Sequence, residues 1–294
     1  MEPQSYTRRL KAEVHNDHFQ NFKRYNVPKA QLIIADIPYN IGKNAYGSSP
    51  QWYVDGDNSN GESSLANSEF FDTDKDFRPA EFMHFCSKML RKEPTRPSDA
   101  KPGERIKSTA PCMIVFCAFE QQFELIELAK RYGLKNYINL VFRKNFSGQV
   151  LKANMRVVGN CEYALIFYRD KLPKFNNKDK NGKNRMVMNC MDWESDSSIV
   201  EKIHPTQKPV NLMKKLIKIF TDPGDVVIDP CCGSGSTLVA ALELKRPSYG
   251  FEIKKDFHAA TTARIEKIRQ REEDIDQYGF ARREISKTSQ AILF

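Results

Sequence analysis

Within four residues, Asp36-Ile37-Pro38-Tyr39 offers a carboxylate, a main-chain carbonyl, a fixed φ and a flat phenol ring. An amine conjugated to a heteroaromatic ring is a poor nucleophile because its lone pair is delocalised. Two acceptors that hold its hydrogens localise that pair towards an electrophile. Asp36 supplies one acceptor and the carbonyl of Ile37 the other. Pro38 stiffens the turn that holds both, and Tyr39 presents a face on which a base stacks for roughly 1 to 3 kcal/mol. Far along the chain, Asp229-Pro230-Cys231-Cys232-Gly233-Ser234-Gly235 joins an acid to two glycines that permit close backbone approach. It lacks the G-x-G-x-x-G spacing that aims a helix at a pyrophosphate, which argues against a dinucleotide. The loop suits a cofactor whose positive amino-acid end needs a carboxylate. Glu252 follows Asp229 at about the separation, some twenty residues, at which an acid meets a ribose diol.

Both segments directly follow short apolar runs, Leu32 to Ala35 and Val226 to Ile228, so both read as loops at the carboxyl ends of strands. In an open α/β sheet that edge is where ligands bind. A short strand begins at Lys11, a turn falls at Asn16-Asp17, and a polar helix spans about Phe19 to Tyr25. Helices are expected over Pro79 to Lys92, Glu120 to Tyr132 closed by Gly133, Val210 to Phe220, Ser236 to Lys245 and Ala259 to Ile275. Strands are expected over Cys112 to Phe119 and Ser248 to Glu252, with a hairpin made of Tyr137 to Arg143 and Tyr163 to Tyr168. Residues 40–76 turn sharply to Gly, Ser, Asn and Asp, and so long a loop beside the tetrapeptide reads as a lid.

The two segments, with His204-Pro205-Thr206-Gln207-Lys208-Pro209 between them, resemble the S-adenosylmethionine-dependent DNA amino-methyltransferases, in the permuted β arrangement where the catalytic tetrapeptide comes first. The resemblance runs from about Leu10 to about Thr262 and departs from the family twice. Ile37 replaces the first proline of the tetrapeptide, and Cys231-Cys232 stand in the aromatic stretch of the cofactor loop. It implies a class I methyltransferase fold, a mostly parallel α/β sheet with an antiparallel edge hairpin and helices on both faces. It also implies methyl transfer to adenine N6 of a flipped-out base, since Asp at the first position favours adenine. The alternatives are cytosine N4 transfer and a catalytically inactive DNA-binding module on the same fold. By the same resemblance Asp36, Ile37, Pro38 and Tyr39 are catalytic, and Asp17, Thr206, Lys208, Asp229, Pro230, Cys231, Gly233, Gly235 and Glu252 hold the cofactor. Residues 1–168 form the catalytic part, 169–203 a short DNA-recognition insertion, 204–275 the cofactor part of the same domain, and 276–294 a polar tail.

A formal charge of +9 over 294 residues suits a polyanion partner through counterion release. Arg143, Lys144 and Arg156, with Lys178, Lys180, Lys183 and Arg185, are the expected DNA contacts, flanking the insertion. The seven cysteines form no CxxC pair and no metal-ligand spacing, so neither a disulfide framework nor a metal site is expected. Cys86, Cys117 and Cys161 read as small core residues. Pro111-Cys112 lies at the wrong end of its strand and Pro230-Cys231 in the cofactor loop, so a covalent cysteine mechanism on a ring carbon is disfavoured. The chain lacks the run of about 18 apolar residues that a membrane span needs and the apolar core of a signal peptide, so an intracellular protein is expected. A homodimer and a restriction endonuclease of the same system are the protein partners that the resemblance allows.

Overall fold

In a computed structural model, the described residues are 10–39, 77–95, 101, 108–145, 149–152, 157–194, 196 and 207–271, with backbone alone at 149–152 and 157–158. The expected lid at 40–76, Arg156, Thr206 and the tail after 271 lie outside them.

Among the described residues ten strands are formed: β1 Ala12–His15, β2 Leu32–Asp36, β3 Cys112–Cys117, β4 Asn136–Arg143, β5 Gln149–Lys152, β6 Val157–Gly159, β7 Cys161–Tyr168, β8 Cys190–Asp192, β9 Val227–Asp229 and β10 Ser248–Phe251. The helices are α1 Pro79–Met89, α2 Gln121–Arg131, α3 Val210–Phe220, α4 Ser236–Glu243 and α5 over 255–271, with a 3₁₀ turn at Phe19–Arg24. Eight strands make one sheet in the order β1-β10-β9-β2-β3-β7-β4-β8, and β5 and β6 make a separate antiparallel ribbon. Within the eight-stranded sheet β7 runs against both its neighbours, and the other pairs there are parallel.

Parallel strands are covered on both faces, which requires continuous apolar runs. LIIAD and CMIVFC meet that requirement, and alternate residues feed opposite sides. Leu32, Ile34, Ile114 and Phe116 pack with α3, α4 and Ile265 of α5. Ile33, Ala35, Met113 and Val115 pack with Phe82, Phe85 and Met89 of α1 and Leu125 of α2. The sheet thus has helices on both faces. Because β2 lies between β3 and β9, its carboxyl end adjoins that of a strand almost two hundred residues later.

Two expectations change, the edge position of the hairpin and the burial of Cys161. The β4–β7 hairpin forms, but it is not the edge, because β8 adds outside it in parallel with β4. Within the expected insertion, the described residues 169–194 are tied to the body: they supply β8, the Lys174 ammonium pairs with Asp225 at 2.5 Å and Asp222 at 2.8 Å, and Phe175 packs against Phe220. Cys86 and Cys117 are buried, whereas Cys161 is exposed because it opens β7 at the sheet rim.

Candidate active site

Asp36 is the last residue of β2 and faces an ammonium: Lys208 Nζ donates to Asp36 Oδ2 at 2.7 Å. The other oxygen, Oδ1, is shut off from solvent and has no hydrogen-bond partner among the described residues. Burial raises the Asp36 pKa, and the Lys208 charge only partly offsets it. The next residue explains its own departure from proline. Ile37 N–H donates to Phe116 O at 3.2 Å, extending the β2–β3 ladder by one bond that a proline nitrogen cannot make, while its side chain is buried. Pro38 O accepts from Gln121 Nε2 at 2.8 Å, and Gln121 Oε1 accepts from Ala118 N at 3.0 Å, so the first residue of α2 fixes the turn.

Tyr39 donates its hydroxyl to Glu162 Oε2 at 2.7 Å. Glu162 is also paired with Lys144 and stands 3.6 Å from Lys208. Burial alone would raise its carboxyl, but the two ammonium groups outweigh it and hold the pKa at about 2. Lys208, at the threshold of α3, lies 5.5 Å from the Tyr39 ring centroid and 5.4 Å from that of Phe116. Lys144, Glu162, Lys208 and Asp36 therefore alternate in sign along one chain of contacts. Sequence reasoning missed Glu162 and Gln121 entirely. The one signal for Glu162 was an acid immediately before an otherwise apolar strand core.

Beside this cluster stands the second segment. Asp229 ends β9, and its Oδ1 accepts from Cys231 N at 3.1 Å. Burial pushes its pKa up to about 7 despite hydrogen bonds from Thr237 and Cys231. Pro230 is buried and Cys231 half-buried behind it. Gly233 and Gly235 both have positive φ, at 47° and 72°, and a Cβ on Gly235 would lie 2.4 Å from Thr261 Cγ2. Thr261 Oγ1 donates to Gly233 O at 2.6 Å, so α5 braces the loop. Glu252, just past β10, accepts from Gly233 N at 2.9 Å and Lys254 N at 2.8 Å, and burial raises its pKa. Asp17 follows β1 on the far side of Glu252. Its carboxylate accepts from His18 N, Asn21 Nδ2 and the Tyr25 hydroxyl at 2.7, 2.6 and 2.9 Å.

The structure thus brings Asp17, Asp36 to Tyr39, Lys208, Asp229 to Gly235 and Glu252 to one sheet edge, with the Lys208 ammonium on the Asp36 carboxylate. The DNA-contact expectations divide. Lys144 is engaged by Glu162 and stands 5.2 Å from the Trp193 ring centroid. Arg143 ends β4 at the same edge, exposed and paired with Asp192 at 2.6 Å. Lys178, Lys180, Lys183 and Arg185 are exposed on a hairpin rooted at the opposite edge, because Lys174 N bonds Ala110 O before β3 and Asn176 N bonds Ile219 O at the end of α3. Asp179 closes that hairpin, accepting from Lys183 N and Arg185 Nε. Among the described residues no group of three His, Cys, Asp or Glu could hold a metal, and no helix is long and apolar enough to cross a membrane.

An acid at the end of β9 and another just past β10, a left-handed glycine turn between them and a carboxylate oxygen on the adjoining strand that has no partner among the described residues fit a sulfonium nucleoside beside an amine. The comparisons with known proteins agree. Residues 30–263 match the DNA methylase family of N6 and N4 amino-methyltransferases, and the chain belongs to that family. S-adenosylmethionine is the family's methyl donor. The DNA adenine methyltransferase YhdJ of Escherichia coli is 25% identical over 268 residues, 87% of this chain and 83% of that protein. YubD of the same organism, described as a methylase, is 29% identical over 161 residues, which span 64% of it and 55% of this chain. Among solved structures, the M1.HpyAVI–SAM complex superposes with a TM-score of 0.56 at 21% identity, covering 86% of this chain and 98% of that one. The cytosine-N4-specific PvuII DNA methyltransferase does so with a TM-score of 0.57 at 15% identity, covering 86% of each chain.

Proposed function

We propose that this chain methylates adenine N6 in DNA, on a base taken out of the helix into the crevice between β2 and β9. The observation that carries the reading is the Asp36 carboxylate: Oδ2 is held by Lys208 while Oδ1 is buried and unpartnered among the described residues, leaving one acceptor for an incoming amine. A buried acceptor without a donor is costly, so a donor supplied by substrate is the economical explanation. Likeness to YhdJ, whose name is that of an adenine enzyme, supports the choice of base.

In this reading Asp229, Gly233, Gly235 and Glu252 hold the cofactor, with Asp17 beside its adenine end. When bound, S-adenosylmethionine would supply an electrophilic methyl group, its C–S bond breaking so that the sulfur leaves as a neutral thioether. Asp36 Oδ1 and the Ile37 carbonyl accept the two amine hydrogens and turn the nitrogen lone pair towards that methyl. Asp36 Oδ1 then receives the proton that the methylated nitrogen sheds. Tyr39, its hydroxyl anchored by Glu162, stacks on the base. DNA reaches the site from the Arg143 edge, where the β5–β6 ribbon leaves β4 and returns to β7.

Incubation of the protein with DNA and methyl-labelled cofactor, followed by nucleoside chromatography, tests the reading. Label should migrate with N6-methyldeoxyadenosine. Label in N4-methyldeoxycytidine would reassign the base. Cofactor binding without transfer would leave a DNA-binding module on a methyltransferase fold.

A further inference from the structure

Three aromatic rings stand in a row at the same sheet edge and take no part in the chemistry above. Phe119 is 52% and Phe123 63% exposed, yet their rings meet edge to face at 5.7 Å, and Phe119 also meets Tyr163 at 5.6 Å. Two phenylalanines kept in water next to each other mark a surface that something covers. Their placement says what. Gln121, between Phe119 and Phe123 in sequence, bonds the carbonyl of Pro38 in the catalytic turn. Glu162, next to Tyr163, bonds the hydroxyl of Tyr39. Tyr163 lies opposite Val141 on β4, and two residues on from Val141, on the same face of that strand, Arg143 carries a cation. Through Gln121 the rings adjoin the catalytic turn, and because Tyr163 follows Glu162 in β7 they lie on the other face of the sheet from the Glu162 carboxylate, flanked by the exposed Arg143 guanidinium and its partner Asp192.

When a base leaves the helix, its neighbour loses a stacking partner, and an aromatic face beside the pocket can replace it whatever the sequence. We propose that Phe119, Phe123 and Tyr163 form a stacking platform for a second nucleobase, the neighbour of the methylated one, so that the enzyme grips locally opened DNA. The proposal rests on the DNA-methylation reading. Its commitment to DNA and not to a second copy of the chain follows from its place adjoining the catalytic turn and from Arg143 beside it.

Fluorescence anisotropy with a duplex, and with the same sequence opened by mismatches, reads the platform without any methyl transfer. Phe123→Ala should weaken binding by roughly tenfold, Phe119→Ala/Phe123→Ala by more, and the preference for opened DNA should shrink. Met186→Ala, removing a side chain that is 95% exposed on the far-edge hairpin, should leave affinity unchanged. Phe123→Trp should retain affinity, and its indole emission should be quenched by DNA. The platform is overturned if the double variant, with an unaltered thermal transition, binds both DNAs as the natural protein does, or if it keeps DNA affinity while a dimer becomes monomeric in sedimentation. A natural protein that transfers no methyl, but whose double variant loses DNA affinity, would overturn the reaction and support the platform.

Discussion

Lys208 stands between two carboxylates, 2.7 Å from Asp36 and 3.6 Å from Glu162, and its ammonium is almost wholly buried among aromatic rings. The arrangement sets the protonation of the acid. Asp36 takes up the amine's proton only when ionised, and burial, outweighing the pull of Lys208, holds its carboxyl above its ordinary value. The rate should therefore fall as pH drops through that raised value. Lys208→Met removes the opposing charge, so the fall should move to higher pH, with kcat reduced by about tenfold or more near neutrality. A pH–rate profile that keeps its shape would show that Lys208 does not act through Asp36. Asp36→Ala should abolish transfer while calorimetry finds S-adenosylmethionine binding nearly intact. Asp229 makes the same demand on the donor side. With a pKa of about 7, it is half protonated near neutrality, and only its ionised form attracts a cationic amino-acid end. Cofactor affinity should thus weaken as pH falls below about 7, and Asp229→Asn should flatten that dependence. At this scale the sequence revealed the first residues of each loop through residue type and neighbours. It did not reveal Glu162 or the attachment of Lys208 to Asp36, because those contacts join β7, β2 and the start of α3, which nothing local pairs.

At the scale of elements, the cofactor turn depends on α5, which comes after it. Gly235 needs positive φ and has Thr261 against it. Gly235→Ala combines backbone strain of about 1 to 3 kcal/mol with a steric clash, so thermal unfolding should come earlier and cofactor affinity should drop. Adding Thr261→Ser removes the Cγ2 that clashes and should restore part of both losses. Full restoration would show that strain at φ costs nothing there. Ile37→Pro brings the turn closer to the family pattern, yet it should lower stability by roughly 1 to 3 kcal/mol, since Phe116 O is left without its donor. Apolar runs bounded by turns disclosed β2, β3, β9, α2 and α3 within a residue or two. The three-residue β8 was not legible, because a strand so short is defined by its partner and not by any period of its own.

At the scale of the molecule, a net charge of +9 says that DNA is attracted but not where it lies. Lys178, Lys180 and Lys183 share a dense run in sequence, and the bonds of Lys174 to Ala110 and of Asn176 to Ile219 put them on the edge away from Asp36. Charge reversal at all three should reduce DNA affinity less than Arg143→Glu does, and the salt dependence should change more for Arg143. Equal effects would mean that duplex DNA wraps past the sheet. The strand order has another consequence. β1 completes its ladder only with β10, and β2 only with β9, so the earliest strands wait for the latest. During synthesis on the ribosome, β2 leaves with one hydrogen-bonding edge bare until residues near 229 emerge, and the loops after β1 and β9 lack β10 beside them until those near 251 do. A nascent chain cut short anywhere before β9 would carry an open parallel edge, and a truncated gene product should be met by chaperones and proteases before it ever meets DNA.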